Sequence, residues 1–83
     1  MYRVSIVAAS LIALGSVALA GRPVTDGERA KLVAAIAAQG CSGGKMMWDD
    51  THFEVDEAVC SDGRRYDLKF DAAFKLVDKR LER

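Results

Sequence analysis

Residues Ser42 to Phe70, SGGKMMWDDTHFEVDEAVCSDGRRYDLKF, alternate apolar and polar side chains in two runs, with Asp62-Gly63 between them. Alternation with period two is the mark of strands that bury one face. The registers can be tested by arithmetic. If Asp50-Thr51 forms a two-residue hairpin loop, paired positions sum to 101, so Trp48 faces Phe53 and Met46 faces Val55. The same register brings Cys41 opposite Cys60. Opposed residues share a face of a sheet, and strict alternation then places the cysteines on the face away from the apolar pairs. If Asp62-Gly63 is a two-residue type I′ turn, pairs sum to 125, setting Val59 against Tyr66, Val55 against Phe70 and Asp56 against Lys69. Both registers put Phe53, Val55 and Val59 on one side.

Glu57 interrupts that side, opposite Leu68. Two readings stay open: a carboxylate reaching solvent at a wet corner, toward Lys31, or one buried under the helix. The tail, DAAFKLVDKRLER, is also open. As a strand after a three-residue turn its pairs sum to 144, with Phe70 against Phe74 and Leu68 against Leu76. As a helix it offers the stripe Ala73, Phe74, Val77 and Leu81. A strand is preferred, because it would cover the Tyr66–Phe70 edge.

Upstream, Thr25-Asp26-Gly27-Glu28 has the form of a capping box. Residues 28–39, ERAKLVAAIAAQ, are good helix formers without internal Gly or Pro. Leu32, Val33, Ile36 and Ala37 make the stripe expected to face the sheet, and Gly40 supplies a left-handed stop. Residues 21–24 read as a short, loose leader. Residues 1–20 carry one basic residue, Arg3, then an apolar run closing in Ala18-Leu19-Ala20. This is the pattern of an export signal cleaved after Ala20, and no cysteine follows it for lipid attachment. A stable membrane anchor is therefore not expected after cleavage.

The remaining 63 residues make one small domain. Only Arg3 of twelve basic residues lies in the leader, which leaves eleven against twelve acidic ones. That balance gives no electrostatic reason to bind nucleic acid or anionic lipid. A chain of this size buries only about 60% of its unfolded surface, so a crosslink would matter. Export, an even cysteine count and the 101 register together predict a Cys41–Cys60 disulfide. It would enclose 18 residues and contribute about 3 kcal/mol. On the face away from the helix it would be open to reductant.

No catalytic constellation can be assembled. His52 is the only histidine and adjoins a hairpin tip, without an evident nucleophile or orienting partner. The cysteines lack Cys-x-x-Cys spacing, and Gly43-Gly44 precedes a strand rather than a helix. No cofactor is expected. The alternative to a pure binding module is a small metal- or ligand-binding protein centred on Asp49, Asp50 and His52, with Glu54 and the Met46-Met47 thioethers nearby. Asp-Asp-Thr is also ordinary turn chemistry, and no metal site is assigned.

The Ala-rich helix ending in Gly40, Cys41-Ser42-Gly43-Gly44, Phe53-Glu54-Val55, Asp62-Gly63 and above all Tyr66-Asp67-Leu68-Lys69-Phe70-Asp71 resemble the PepSY domain in its small, exported, stand-alone form. The resemblance covers residues 25–83. It implies a non-enzymatic module, without catalytic residues, that restrains proteases or modulates the extracellular environment, and it favours a final strand. With no protease domain in these 83 residues, restraint in cis is not expected. The sequence thus predicts an α+β fold, one N-terminal helix on a three- to four-stranded antiparallel meander. The expected role is a periplasmic or secreted binding or inhibitory module whose partner is a peptide or protein, a protease among the candidates.

Overall fold

A computed structural model describes residues 21–82. The segment read as an export signal, with its cleavage point after Ala20, lies outside the described residues. The elements in chain order are β1 (Arg22–Pro23), α1 (Asp26–Ala38), β2 (Cys41–Ser42), β3 (Lys45–Trp48), β4 (Phe53–Cys60), β5 (Arg65–Phe70) and β6 (Leu76–Leu81). All pairings are antiparallel, in the order β1-β3-β4-β5-β6, with β2 beside β4 in line with β3. The fold is α+β as expected, but with six strands rather than three or four. Two of the added strands are short. The leader expected to be loose carries β1, in which Arg22 pairs with Trp48 and Pro23 with Met47.

The helix starts where its chemistry requires. The Thr25 hydroxyl accepts the Glu28 N–H at 3.1 Å, and the Glu28 carboxylate accepts the Thr25 N–H at 2.9 Å. Arg22 donates to both Glu28 oxygens, at 2.9 and 3.0 Å, and so ties β1 to the helix start. The Arg22 guanidinium, together with the Thr25 N–H, draws the Glu28 carboxyl down to about 2. A depressed carboxyl stabilises the fold above the ordinary glutamate range, and that contribution fades as pH falls toward 2. Gly40, at φ 74°, ends the helix, and its carbonyl accepts the Ser61 N–H. Leu32 and Ile36, one turn apart, are the two helical residues in the core. Val33 and Ala37, expected beside them, lie exposed about 100° further round the helix.

The 101 register holds along the whole length: Trp48↔Phe53, Met46↔Val55 and Cys41↔Cys60. The facing does not follow strict alternation. Met46, Val55, Cys41 and Cys60 all belong to one core, and each cysteine is only 7% exposed. Five positions separate Cys41 from Met46, and five separate Val55 from Cys60, yet each pair shares a face. Both strands change face at the same level. On β4, Asp56 and Glu57 together stand against the single residue Asp67, a bulge with Glu57 at φ 60°. On the neighbouring strand the chain passes through Gly43 and Gly44, at φ 72° and 98°. The cysteine sulfurs lie at disulfide distance, on the helix side rather than away from it, and are shielded rather than open to reductant. Val59, expected inside, turns out and is 46% exposed.

The same bulge and one turn account for the other register. Asp62-Gly63 lies in the connection, but the loop has three residues, Ser61 to Gly63, closed by Cys60 N–H to Arg64 C=O and Gly63 N–H to Cys60 C=O. Gly63, at φ 82°, takes the left-handed place. Pairs therefore sum to 124 near the turn (Ala58↔Tyr66, Val59↔Arg65) and to 123 beyond the bulge (Val55↔Leu68, Glu54↔Lys69, Phe53↔Phe70). Glu57 is exposed; its N–H donates to Asp67 Oδ1 at 3.1 Å and its carboxylate meets Arg65 at 3.5 Å. It reaches solvent, as one reading had it, but toward Arg65 rather than Lys31.

The tail is a strand. Its turn repeats the previous one: Asp71 N–H to Lys75 C=O and Phe74 N–H to Asp71 C=O enclose Ala72 to Phe74. Phe74 occupies the left-handed place at φ 65°, one residue later than expected, so Phe70 pairs with Leu76 and Leu68 with Lys79. An aromatic residue is costly in that conformation. Its ring offsets the cost by stacking on Phe53, centroids 5.0 Å apart, with the Lys31 ammonium 5.5 Å from the ring centre.

Gly44 is the least replaceable of these positions. A Cβ there would lie 2.6 Å from Val55 Cγ1 and 3.1 Å from the Asp56 carbonyl, whereas at Gly43 it would meet nothing. Gly44→Ala should cost about 2–4 kcal/mol through overpacking added to left-handed strain. Gly43→Ala should cost about 1–2 kcal/mol from strain alone. Urea unfolding of the two variants checks this, and equal losses would contradict the packing assigned to Gly44.

Candidate functional site: an apolar groove beside an open sheet edge

The described surface gathers side chains at several places, a cleft between Glu57, Arg64, Arg65, Leu81 and Glu82 among them, and three bear on function. The first is the tip of the β3–β4 hairpin, where Asp49, His52 and Glu54 come together. Asp49 Oδ1 accepts the backbone N–H groups of Thr51 (3.3 Å) and His52 (3.2 Å). Burial pushes this carboxyl up, but those two N–H groups, with the His52 ring and Glu54, together outweigh it and hold the group below its ordinary value. His52 Nδ1 lies 3.1 Å from Asp49 Oδ1, and Nε2 lies 3.2 Å from Glu54 Oε2. Asp50, named with Asp49 and His52 from the sequence, is exposed at φ 90° and stands outside the group; Glu54 takes its place. Alternation along β4 is the signal for Glu54, which sits two residues from His52 on one face.

Both ring nitrogens of His52 are thus engaged, on opposite sides of the ring. A cation taking either nitrogen must displace a carboxylate contact, and Asp49 is committed to the turn. Zinc titrated into the protein by calorimetry should bind no more tightly than the millimolar range. Submicromolar binding that is lost in both His52→Ala and Glu54→Gln would overturn this reading.

The second place is the sheet face away from the helix, where Glu54, Asp56, Asp67, Lys69, Asp78 and Arg80 line a shallow depression of about 230 Å³. Opposite charges face each other across the strands: Glu54 and Asp78 flank Lys69, and Asp67 stands against Arg80. Partial burial, then Asp67 and Glu54, push the Asp56 carboxyl up. With four carboxylates to two basic side chains, the face is a net acidic, solvated surface.

The third place is apolar. Between α1 and the β2–β3 edge runs a groove of about 320 Å³. Ile36, Cys41 and Met46 form its floor, Val33 and Ala37 one wall, and Ser42, Gly43 and Gly44 the other, with Arg29 at one end. The groove exists because Leu32 and Ile36, rather than Val33, meet the core. Val33 is left 54% exposed. Beside it the sheet edge is open: β1 covers only Met47 and Trp48. From Cys41 to Lys45 no described strand pairs on that side. Sequence reading missed the groove because it placed Val33 and Ala37 against the sheet.

The residues of the Tyr66–Asp71 block serve the frame around this groove. The Tyr66 hydroxyl donates to Asp62 Oδ2 at 2.5 Å, while Asp62 Oδ1 accepts the Arg64 N–H. That shared hydrogen bond holds the Asp62 carboxyl low and pushes the Tyr66 hydroxyl up. Asp67 holds the Glu57 bulge, Leu68 and Phe70 are core, and Asp71 Oδ1 accepts the N–H groups of Ala73 and Lys75.

No curated protein and no solved structure matches the chain. Among the described residues no helix is long and apolar enough to cross a membrane. The family described as peptidase propeptide and YPEB domain matches residues 4–80, nearly the whole sequence. With the block that resembled it now seen to organise the turns and the bulge, the chain belongs to this family, the PepSY domains.

Proposed function

We propose that this protein is a non-enzymatic, exported binding module that restrains a peptidase or engages another protein partner of the cell envelope. The observation that carries the reading is the groove: an apolar channel lying against an unpaired stretch of sheet edge, in a domain whose family is described by peptidase propeptides. Sheet edges with an adjoining apolar channel suit extended peptide segments, because the backbone supplies affinity and the channel supplies selectivity. Export is supported by the leader pattern of residues 1–20. A non-catalytic role is supported by the use of the family block, where each carboxylate caps a turn or holds a bulge.

Restraint by binding is stoichiometric, whereas catalysis is not. The oxidised protein titrated against secreted metallopeptidases should reduce their activity to a plateau at a fixed molar ratio. Continued turnover of a substrate by this protein, abolished in His52→Ala, would overturn the proposal.

A further inference from the structure

The helix shields the Cys41–Cys60 pair, yet the two sulfurs are not equivalent. Each cysteine is 7% exposed and belongs to the core. Cys41 also forms part of the groove floor, with Ile36 and Met46, whereas Cys60 does not line the groove. The channel of about 320 Å³ runs along the outer side of β2, and Cys60 sits across from Cys41 on β4, the inner neighbour of that strand. A small uncharged molecule entering the channel therefore meets the disulfide at Cys41, with Cys60 behind it. Displacement at sulfur needs the attacking and departing atoms in line, and this placement supplies that order.

The helix also makes the sulfurs electrostatically different. Cys41 Sγ lies 3.4 Å from the carbonyl oxygen of Gln39, the residue that caps the C-terminal end of α1. Carbonyls at that end carry the negative pole of the helix, and its last turn holds no basic side chain to offset it. A thiolate on Cys41 is disfavoured there. Among the described residues, Cys60 Sγ has no carbonyl contact of this kind. In thiol–disulfide exchange the sulfur that departs most readily is the one that bears negative charge more easily, while the attacked sulfur ends uncharged. Access and leaving-group chemistry agree: attack falls on Cys41 and Cys60 departs.

We propose that the Cys41–Cys60 disulfide is a thiol-exchange site entered through the groove, at which a small monothiol adds to Cys41. The incoming thiolate forms a new sulfur–sulfur bond to Cys41 Sγ. The Cys41–Cys60 bond breaks, its electron pair leaves on Cys60 Sγ, and solvent protonates that thiolate. One disulfide replaces another, so the thiol is the sole co-reactant. The product carries a mixed disulfide on the groove floor and a free thiol at Cys60. This goes beyond the binding-module reading, and neither depends on the other.

The probe is mercaptoethanol at millimolar concentration, added to the oxidised protein and quenched in acid early in the reaction. Trypsin separates the two cysteines, because Lys45 lies between them. Peptide masses should place the adduct on Cys41 at least about tenfold more often than on Cys60. Val33→Trp, which puts a ring over the channel from an exposed position, should slow addition about tenfold. Val59→Trp, exposed on the opposite face, should leave the rate unchanged. No adduct, an adduct shared equally or chiefly on Cys60, or slowing by Val59→Trp but not by Val33→Trp would each overturn the assignment. So would a rate that rises with the unfolded fraction in low urea, since exchange would then need the opened chain. If a peptidase is restrained but no thiol adds, this assignment fails and the binding-module reading stands. If the thiol adds at Cys41 and no peptidase is restrained, the reverse holds.

Discussion

The fold depends on a backbone reversal made twice at one level of the sheet. At Gly43-Gly44 and at Asp56-Glu57, adjacent strands exchange inward and outward faces together. Either change alone would slip one strand's side chains to the wrong side of the core. Made together, they keep the register and rotate the cysteine pair under the helix. Cys41 and Cys60 then close the end of the core that Leu32 and Ile36 cover, and Cys41 becomes part of the groove floor. The glycines meet this constraint at little steric cost. Glu57 meets it only because Asp67 accepts its N–H. An L-residue in that conformation costs about 1–2 kcal/mol, which a hydrogen bond to a charged acceptor can offset.

The family block is then a set of instructions for the backbone. Asp62 and Asp71 each organise a three-residue turn closed by the same pair of backbone bonds. Tyr66 clamps the first turn, Asp67 the bulge, and Leu68 and Phe70 fill the core between. Polar residues that line up in sequence as if for chemistry are spread over two turns, a bulge and the shallow depression on the face away from the helix. The groove lies on the other side of the sheet edge, built from residues outside the block.

Local chemistry made part of this legible. The capping box, the Gly40 stop and the 101 register each rest on short-range rules: a hydroxyl and a carboxylate three apart, a glycine after a helix, a loop with turn-forming residues. The cysteine pairing followed from that register. The facing of the cysteines did not, because alternation was assumed to run unbroken through Glu57, and an L-residue at positive φ leaves no compositional trace. Phe74 hid the last turn in the same way: it stands where Gly63 stands in the turn before, and only the first position carries a glycine. The groove was hidden by the helix's rotation. Val33 is as apolar as Leu32, and which of them meets the sheet is settled by the sheet's shape. At the hairpin tip, Asp49 and His52 were legible and Asp50 misled, since neighbours in a tight turn point apart.

The paired reversal also ties the cysteine pair to the groove, because Gly43 and Gly44 are at once the hinge of the cysteine strand and one wall of the groove. The most direct test is the nuclear Overhauser spectrum of the oxidised protein. The account predicts contacts from the β-protons of Cys41 and Cys60 to the methyl groups of Leu32 and Ile36, together with the Met46–Val55 and Phe53–Phe70 contacts of the same core. Cysteine β-protons that instead contact Asp56 or Lys69, on the face away from the helix, would contradict it.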